Sequence, residues 1–257
     1  MLALSEIMQY YSPKIQQFPR GILREYLQYL ILQTIFSHTY ASKLCFIWWT
    51  ALRIGYDSQR FSEDLDFDNR GLTEQEFESI THEIETMLKL EWYEVEIQHL
   101  YKWAFRCDIK LPKLLFDNHL SSMQTEKLTI KIDTVSQGFH YQPQKKFIQK
   151  FGMFFPLLIA SESVLLSMKL NAFFSRVKGR DLFDILYLLE RTKSPHWGIL
   201  QQSLDIDNVE TLKQRIKIRL SELDLLQLQK DVTPFLFDSH NTSVEFFWEL
   251  IDNIDFE

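Results

Sequence analysis

A chain of 257 residues, 46% hydrophobic and 25% charged, has the composition of a folded protein and is long enough for one large domain or two modest ones. Its formal net charge of −7 provides no bulk field for nucleic acid, so such a partner would need a local basic surface. Cys45 and Cys107 make neither a disulfide framework nor a zinc pattern, the seven histidines lack metal-ligand spacing, and no apolar run reaches the roughly 20 residues of a membrane helix. With no basic and apolar leader at its start, the chain is expected to be cytoplasmic, with no membrane segment.

Leu23, Tyr26, Leu27, Leu30, Ile31 and Thr34 follow Pro19 and Gly21 at the spacing of one helix face, which predicts an N-terminal helix. A second helix is predicted from Thr73 to Lys89, where Thr73 and Glu76 have the arrangement of a capping box ahead of Phe77, Ile80, Ile84, Met87 and Leu88. The period then changes. Trp92 to Ile97, Trp103 to Leu111 and Leu128 to Asp133 alternate apolar with polar residues, as strands with one buried face do. After Pro156 helical spacing returns over Leu157 to Phe174, Leu182 to Arg191, Val209 to Leu226 and Val244 to Ile251. Strands early and helices late predict an α+β domain with a mixed sheet over residues 1–155, then a helical bundle over 156–257.

The densest chemical signal lies between Thr50 and Phe67. Leu52 and Tyr56 fit a short helix, and Leu65 and Phe67 alternate with Asp64 and Asp66, so both aspartates project from one face of a strand, roughly 7 Å apart by Cα. Two carboxylates aimed at one point repel unless a cation lies between them, and such oxygen-rich sites suit Mg²⁺ held together with substrate phosphates. Asp133, on the polar side of Leu128 to Asp133, is a candidate third carboxylate. No Gly-x-Ser-x-Gly or Walker-type loop is present, which removes the usual serine hydrolase and P-loop readings.

Thr50, Leu52, Arg53 and Tyr56, followed by the run RFSEDLDF from Arg60 to Phe67, resemble the signature of the AbiEii/AbiGii-type nucleotidyltransferase toxins, a branch of the DNA polymerase β-like superfamily. A second block resembles the same family: Ser161 to Lys169, then Lys178 to Leu189 with Arg180, Asp181 and Asp184. The resemblance spans roughly residues 20–240. It implies a polymerase β-like domain in which Asp64, Asp66 and Asp133 hold Mg²⁺ or Mn²⁺, Lys169 contacts a nucleoside triphosphate, and Asp184 is the essential carboxylate of the last motif. Trp48, Trp49, Thr50, Arg60, Ser62, Lys169 and Arg180 would line the nucleotide.

The implied activity is metal-dependent transfer of a nucleoside monophosphate to an acceptor, the tRNA 3′ end above all. The implied setting is a toxin–antitoxin or phage-defence pair with a winged-helix antitoxin. One departure sets an alternative beside it: the family places two glycines where this chain has Trp48 and Trp49. Glycines there reach dihedrals other residues avoid and let amides approach phosphates, so a catalytically impaired relative serving as a binding or regulatory module is the second reading. A tRNA would need a basic surface, for which Lys145, Lys146, Lys150, Arg176 and Lys178 are the candidates.

Overall fold

The computed structural model describes residues 2–102, 104–253 and 256; Trp103, the expected start of a strand, lies outside them. The chain divides into two compact units. The first comprises Met1–Gly55, Phe61–Gln137 and Gln144–Ile159, and the second Tyr56–Arg60, Gly138–Pro143 and Ala160–Glu257. The division is thus not a single cut: two short pieces of the early sequence fold with the late helices. No described helix is long and apolar enough to cross a membrane.

In chain order the first unit contains α1 (Leu4–Met8), α2 (Pro13–Gln16), α3 (Pro19–Ser37), β1 (Leu44–Ile47), α4 (Trp48–Tyr56), β2 (Leu65–Asn69), α5 (Glu74–Leu90), β3 (Glu96–Tyr101), β4 (Phe105–Leu111), α6 (Leu114–Asp117), β5 (Leu128–Val135), β6 (Gln144–Lys150) and β7 (Met153–Ile159). α4 runs over the boundary, its last residue Tyr56 belonging to the second unit. Among the described residues the strands form one mixed seven-stranded sheet in the order β3-β4-β5-β2-β1-β7-β6. α3 packs on β7 and β5, and α5 on β4 and α3. The face they cover carries Phe46, Leu65, Phe67, Ile130, Ile132 and Leu157, all buried, with the Phe46 and Phe67 rings 5.3 Å apart. The α5 capping box forms as expected: Glu76 N–H donates to Thr73 Oγ1, and Thr73 N–H to Glu76 Oε2.

Several elements differ from the sequence expectation. β1 is buried at all four residues, so no alternation betrays it. The helix expected from Leu157 is instead strand β7 as far as Ile159, with Pro156 opposite Phe147 of β6. β7 borders β1 only at Phe46 and Ile159, so at Pro156 one side of the strand carries no ladder and a missing N–H is tolerated. Trp92 does not begin a strand. It sits at φ 65°, and β3 starts at Glu96.

The second unit is helical: α7 (Glu162–Ser175), α8 (Gly179–Leu189), α9 (Trp197–Leu204), α10 (Val209–Leu220), α11 (Leu225–Val232) and α12 (Phe247–Asn253). The helix expected over Val209 to Leu226 is therefore two, because Asp224 accepts from Gln227 N–H and starts α11 afresh. α8 packs on α7 and α11. Gly179 makes the second contact: a Cβ there would lie 1.9 Å from the Leu228 carbonyl oxygen, and its N–H donates to Asp231.

A buried charge cluster ties α3, α4 and β6 together. Glu25, 2% exposed, accepts from Arg53 at 2.7 and 3.1 Å, from Lys150 Nζ at 2.8 Å and from Tyr11 Oη at 2.8 Å. Burial alone would raise the Glu25 pKa, but Arg53 and then Lys150 outweigh it and hold the carboxyl below its usual range. Glu25→Gln would leave two buried cations short of their counter-charge, with an expected loss of about 3–5 kcal/mol in urea unfolding at pH 7. Because the folded pKa is depressed, that contribution is present above the unfolded carboxylate value and lost as pH falls through the folded one. The gap between parent and variant should therefore close in acid.

Candidate active site

The connection from β1 into α4 has no spare residues: β1 ends at Ile47 and Trp48 is the first residue of the helix. Trp48 stands at φ 61°, the left-handed region that glycine occupies without penalty. The backbone thus keeps the form a glycine would give it. Thr50, with no exposed surface, lies 2.7 Å from Ser62 Oγ and donates to the Asp64 carbonyl. From α3, Gln28 Nε2 donates to the Ser62 and Glu63 carbonyls at 3.0 Å each. The backbone leading into β2 is pinned from two helices.

On β2, Leu65 and Phe67 face the helices and Asp66 the opposite side. Register places Asp66 beside Asp133 of the parallel neighbour β5, and Asp133 beside Arg106 of β4. Arg106 grips Asp133 at 2.5 and 3.2 Å. The Asp64 pKa is raised, chiefly by burial. Lys131 pulls against that, while Glu63 and Asp133 push the same way. Asp66 and Asp133 thus share one sheet face, whereas Asp64, expected on the same strand, lies just ahead of β2 and close enough to Asp133 to feel its charge. Among the described residues no three His, Cys, Asp or Glu side chains are grouped to hold a metal ion. Asp68, next along β2, is buried and accepts from Gln137 N–H at 2.8 Å.

Lys169 and Asp184 lie in the second unit and have no exposed surface. Lys169 Nζ is 2.8 Å from Asp184 and 3.2 Å from Asp181, which is also fully buried. Arg60, 1% exposed, holds Asp184 with two hydrogen bonds of 2.9 and 2.7 Å. Burial is the largest influence on each partner. It lowers the Lys169 pKa against Asp184 and Asp181, whereas for Asp184 it is overcome by Arg60 and Lys169, which keep the carboxyl below its normal range. The Arg180 guanidinium lies over the Phe235 ring, 4.3 Å from its centroid. Ser62 is buried and held by Thr50, and Trp49 is half-buried.

The expected basic surface is only partly one. Lys150 is committed to Glu25, Lys146 Nζ donates to the Gly55 carbonyl, and Lys145 is exposed. Sequence reasoning missed Glu25 and Gln28, both buried on α3 among their chain neighbours Leu23, Tyr26, Leu27 and Tyr29. A buried polar position on a helix face was the available signal.

No curated protein sequence matches the chain. Among solved structures, JHP933 from Helicobacter pylori aligns with TM-score 0.58 and 19% identity over 91% of each chain. MenT4, a nucleotidyltransferase toxin from Mycobacterium tuberculosis, aligns with TM-score 0.54 and 15% identity over 98% of this chain and 99% of its own. At such identities the likeness concerns the fold. The family model described as nucleotidyl transferase AbiEii toxin of type IV toxin–antitoxin systems matches residues 50–246, well over half of the chain, from Thr50 through both motif blocks. The chain belongs to the AbiEii family of nucleotidyl transferase toxins.

Proposed function

We propose that this nucleotidyltransferase uses a divalent metal ion to transfer a nucleoside monophosphate from a nucleoside triphosphate to an RNA 3′ end, with tRNA as the acceptor. The observation that carries the reading is the carboxylate group: Asp66 on β2 with Asp133 as its register partner on β5, and Asp64 just ahead of the strand. The acceptor hydroxyl oxygen attacks the α-phosphorus, the bond to the bridging oxygen breaks, pyrophosphate leaves and the hydroxyl proton is given up. Mg²⁺ or Mn²⁺, when bound, would neutralise phosphate oxygens and make the attacking hydroxyl more acidic.

Asp64 and Asp66 offer such an ion hard oxygen donors, and at Asp64 burial and the neighbouring acids Glu63 and Asp133 favour a cation. Asp133 would join them on release from Arg106. Thr50 and Gln28 hold the backbone at Glu63 and Asp64, so Asp64 starts from a fixed main chain. Lys169 and Asp184 act in this reading as the setting for Arg60 rather than as reagents toward substrate. The left-handed Trp48 favours the active reading over an impaired binding module, since the turn geometry survives the loss of glycine. A winged-helix antitoxin is the partner implied, and the cytoplasm the compartment.

The direct test incubates the protein with Mg²⁺, each labelled nucleoside triphosphate in turn and total tRNA. Label should move to tRNA with the parent and not with an Asp64→Ala, Asp66→Ala variant. No transfer with any nucleotide, and no triphosphate binding by calorimetry, would return the chain to the impaired reading. Asp184→Ala should also lose activity, for a different reason. It strips a buried arginine and lysine of their shared carboxylate, so unfolding should show a loss of about 3–5 kcal/mol. Trp48→Gly removes roughly 1–2 kcal/mol of left-handed backbone cost together with an indole. Calorimetry should find its nucleotide affinity raised, and weaker binding would show that the indole contributes to the site.

A further inference from the structure

The hairpin of β6 and β7 carries a surface that neither the carboxylate face nor the helical unit's charge cluster uses. Phe147 and Phe154 are 57% and 63% exposed, and their rings lie parallel, 5.4 Å apart with an interplanar angle of 5°. Lys145 Nζ is 5.5 Å from the Phe147 centroid, on the same outward side of the edge strand. Exposed side chains this large are informative where a single exposed leucine is not. The stretch of sequence that carries them is unusual for this chain: no Asp or Glu stands between Asp133 and Glu162, although the whole chain has 35 such residues and a net charge of −7.

Register carries the argument one step further. Gln149 pairs with Phe154 and Phe147 with Pro156, so these four side chains share a face. Phe46 pairs with Ile159, and Ile47 with Asp66. Alternation from these pairs puts Phe154 and Phe147 on the sheet face that bears Asp66 and Asp133, with β6 three strands from β2. Cys45 and Ile47 of β1 are buried between them, so platform and carboxylates are separate patches of one face.

We propose that Phe147, Phe154 and Lys145 form a stacking platform for single-stranded nucleic acid. Two unpaired bases would lie on the phenyl rings, and the Lys145 ammonium would meet the phosphate that links them. Flat, parallel, solvent-facing rings accept any base, and a cation in a stretch of chain that carries no acidic residue suits a phosphate backbone better than the acidic remainder does. The inference rests on the transfer reading and names its acceptor more closely, as an unpaired strand rather than a duplex.

The test measures binding of a fluorescein-labelled 12-nucleotide single-stranded RNA by anisotropy, without nucleotide or metal, so that it does not depend on catalysis. Phe147→Ser with Phe154→Ser should bind about tenfold or more weakly, as should Phe147→Leu with Phe154→Leu, which keeps apolar surface and removes the flat rings. Lys145→Glu should weaken binding and flatten its salt dependence, by roughly 0.7 in log–log slope for one lost phosphate contact. Duplex RNA should bind more weakly than the single strand, and all variants should melt with the parent. Unchanged RNA affinity in both double variants overturns the proposal. So does a parent dimer on gel filtration that the serine variant abolishes without affecting RNA, which would make the hairpin an interface between copies. If the platform binds RNA but no nucleotide is ever transferred, the transfer reading fails and the platform stands. If serine-variant protein labels limiting RNA as fast as the parent, the platform fails and the transfer reading stands.

Discussion

An arginine with almost no access to water can exist in a folded protein only if another charge faces it. Asp184 does this for Arg60 with two hydrogen bonds, and Lys169 supplies a second cation to the same carboxylate, with Asp181 on its other side. The arrangement balances two positive against two negative side chains in a space where any unpaired one would be expelled or neutralised. It explains why Tyr56–Arg60 folds with the late helices. Neighbouring contacts reinforce it: Phe237 N–H donates to the Gln59 carbonyl, Arg60 bridges Leu236, and Tyr187 Oη donates to the Tyr56 carbonyl. The first unit solves the same problem around Glu25, where Arg53 and Lys150 converge on one buried carboxylate.

Against these clusters Asp64, just ahead of β2, stands out by what surrounds it. Glu25 and Asp184 are held below their ordinary pKa range by cations that touch them, while Asp64 is pushed up, chiefly by burial and further by Glu63 and Asp133. Structural acids here are those whose burial is offset locally. At Asp64 burial is not offset, because Lys131 is outweighed. Lys169 and Asp184 belong with the compensated groups, each facing an opposite charge within the helical unit. Asp133 lies between the classes, grouped with Asp66 by register and with Arg106 by contact.

Much of this was legible from sequence where a pattern had one physical cause. The capping box at Thr73 and Glu76 and the alternation of β5 each depend on neighbours a few residues away, and each forms as read, while β2 takes in Asp66 but begins one residue after Asp64. The failures have causes that lie far along the chain. β1 is buried on both faces and leaves no period, Pro156 is tolerated because β1 stops short of it, and α10 ends where a capping aspartate begins α11. Lys150 reads as surface charge until Glu25, 125 residues earlier, is known to lie against it. The family motifs located Arg60, Lys169 and Asp184 but could not say that these residues face one another.

Arg60 and Asp184 are separated by 124 residues. During synthesis the segment bearing Asp64 and Asp66 therefore emerges long before the carboxylate that lets Arg60 be buried, and contacts of such separation form late because loop closure precedes their reward. A nascent or truncated chain ending before α8 holds both aspartates, yet its Arg60 has nothing to enter for. Completion of the helical unit is thus tied to the passage of Asp184 out of the ribosome, and the short segment Tyr56–Arg60 is the part of the early chain that must wait for it.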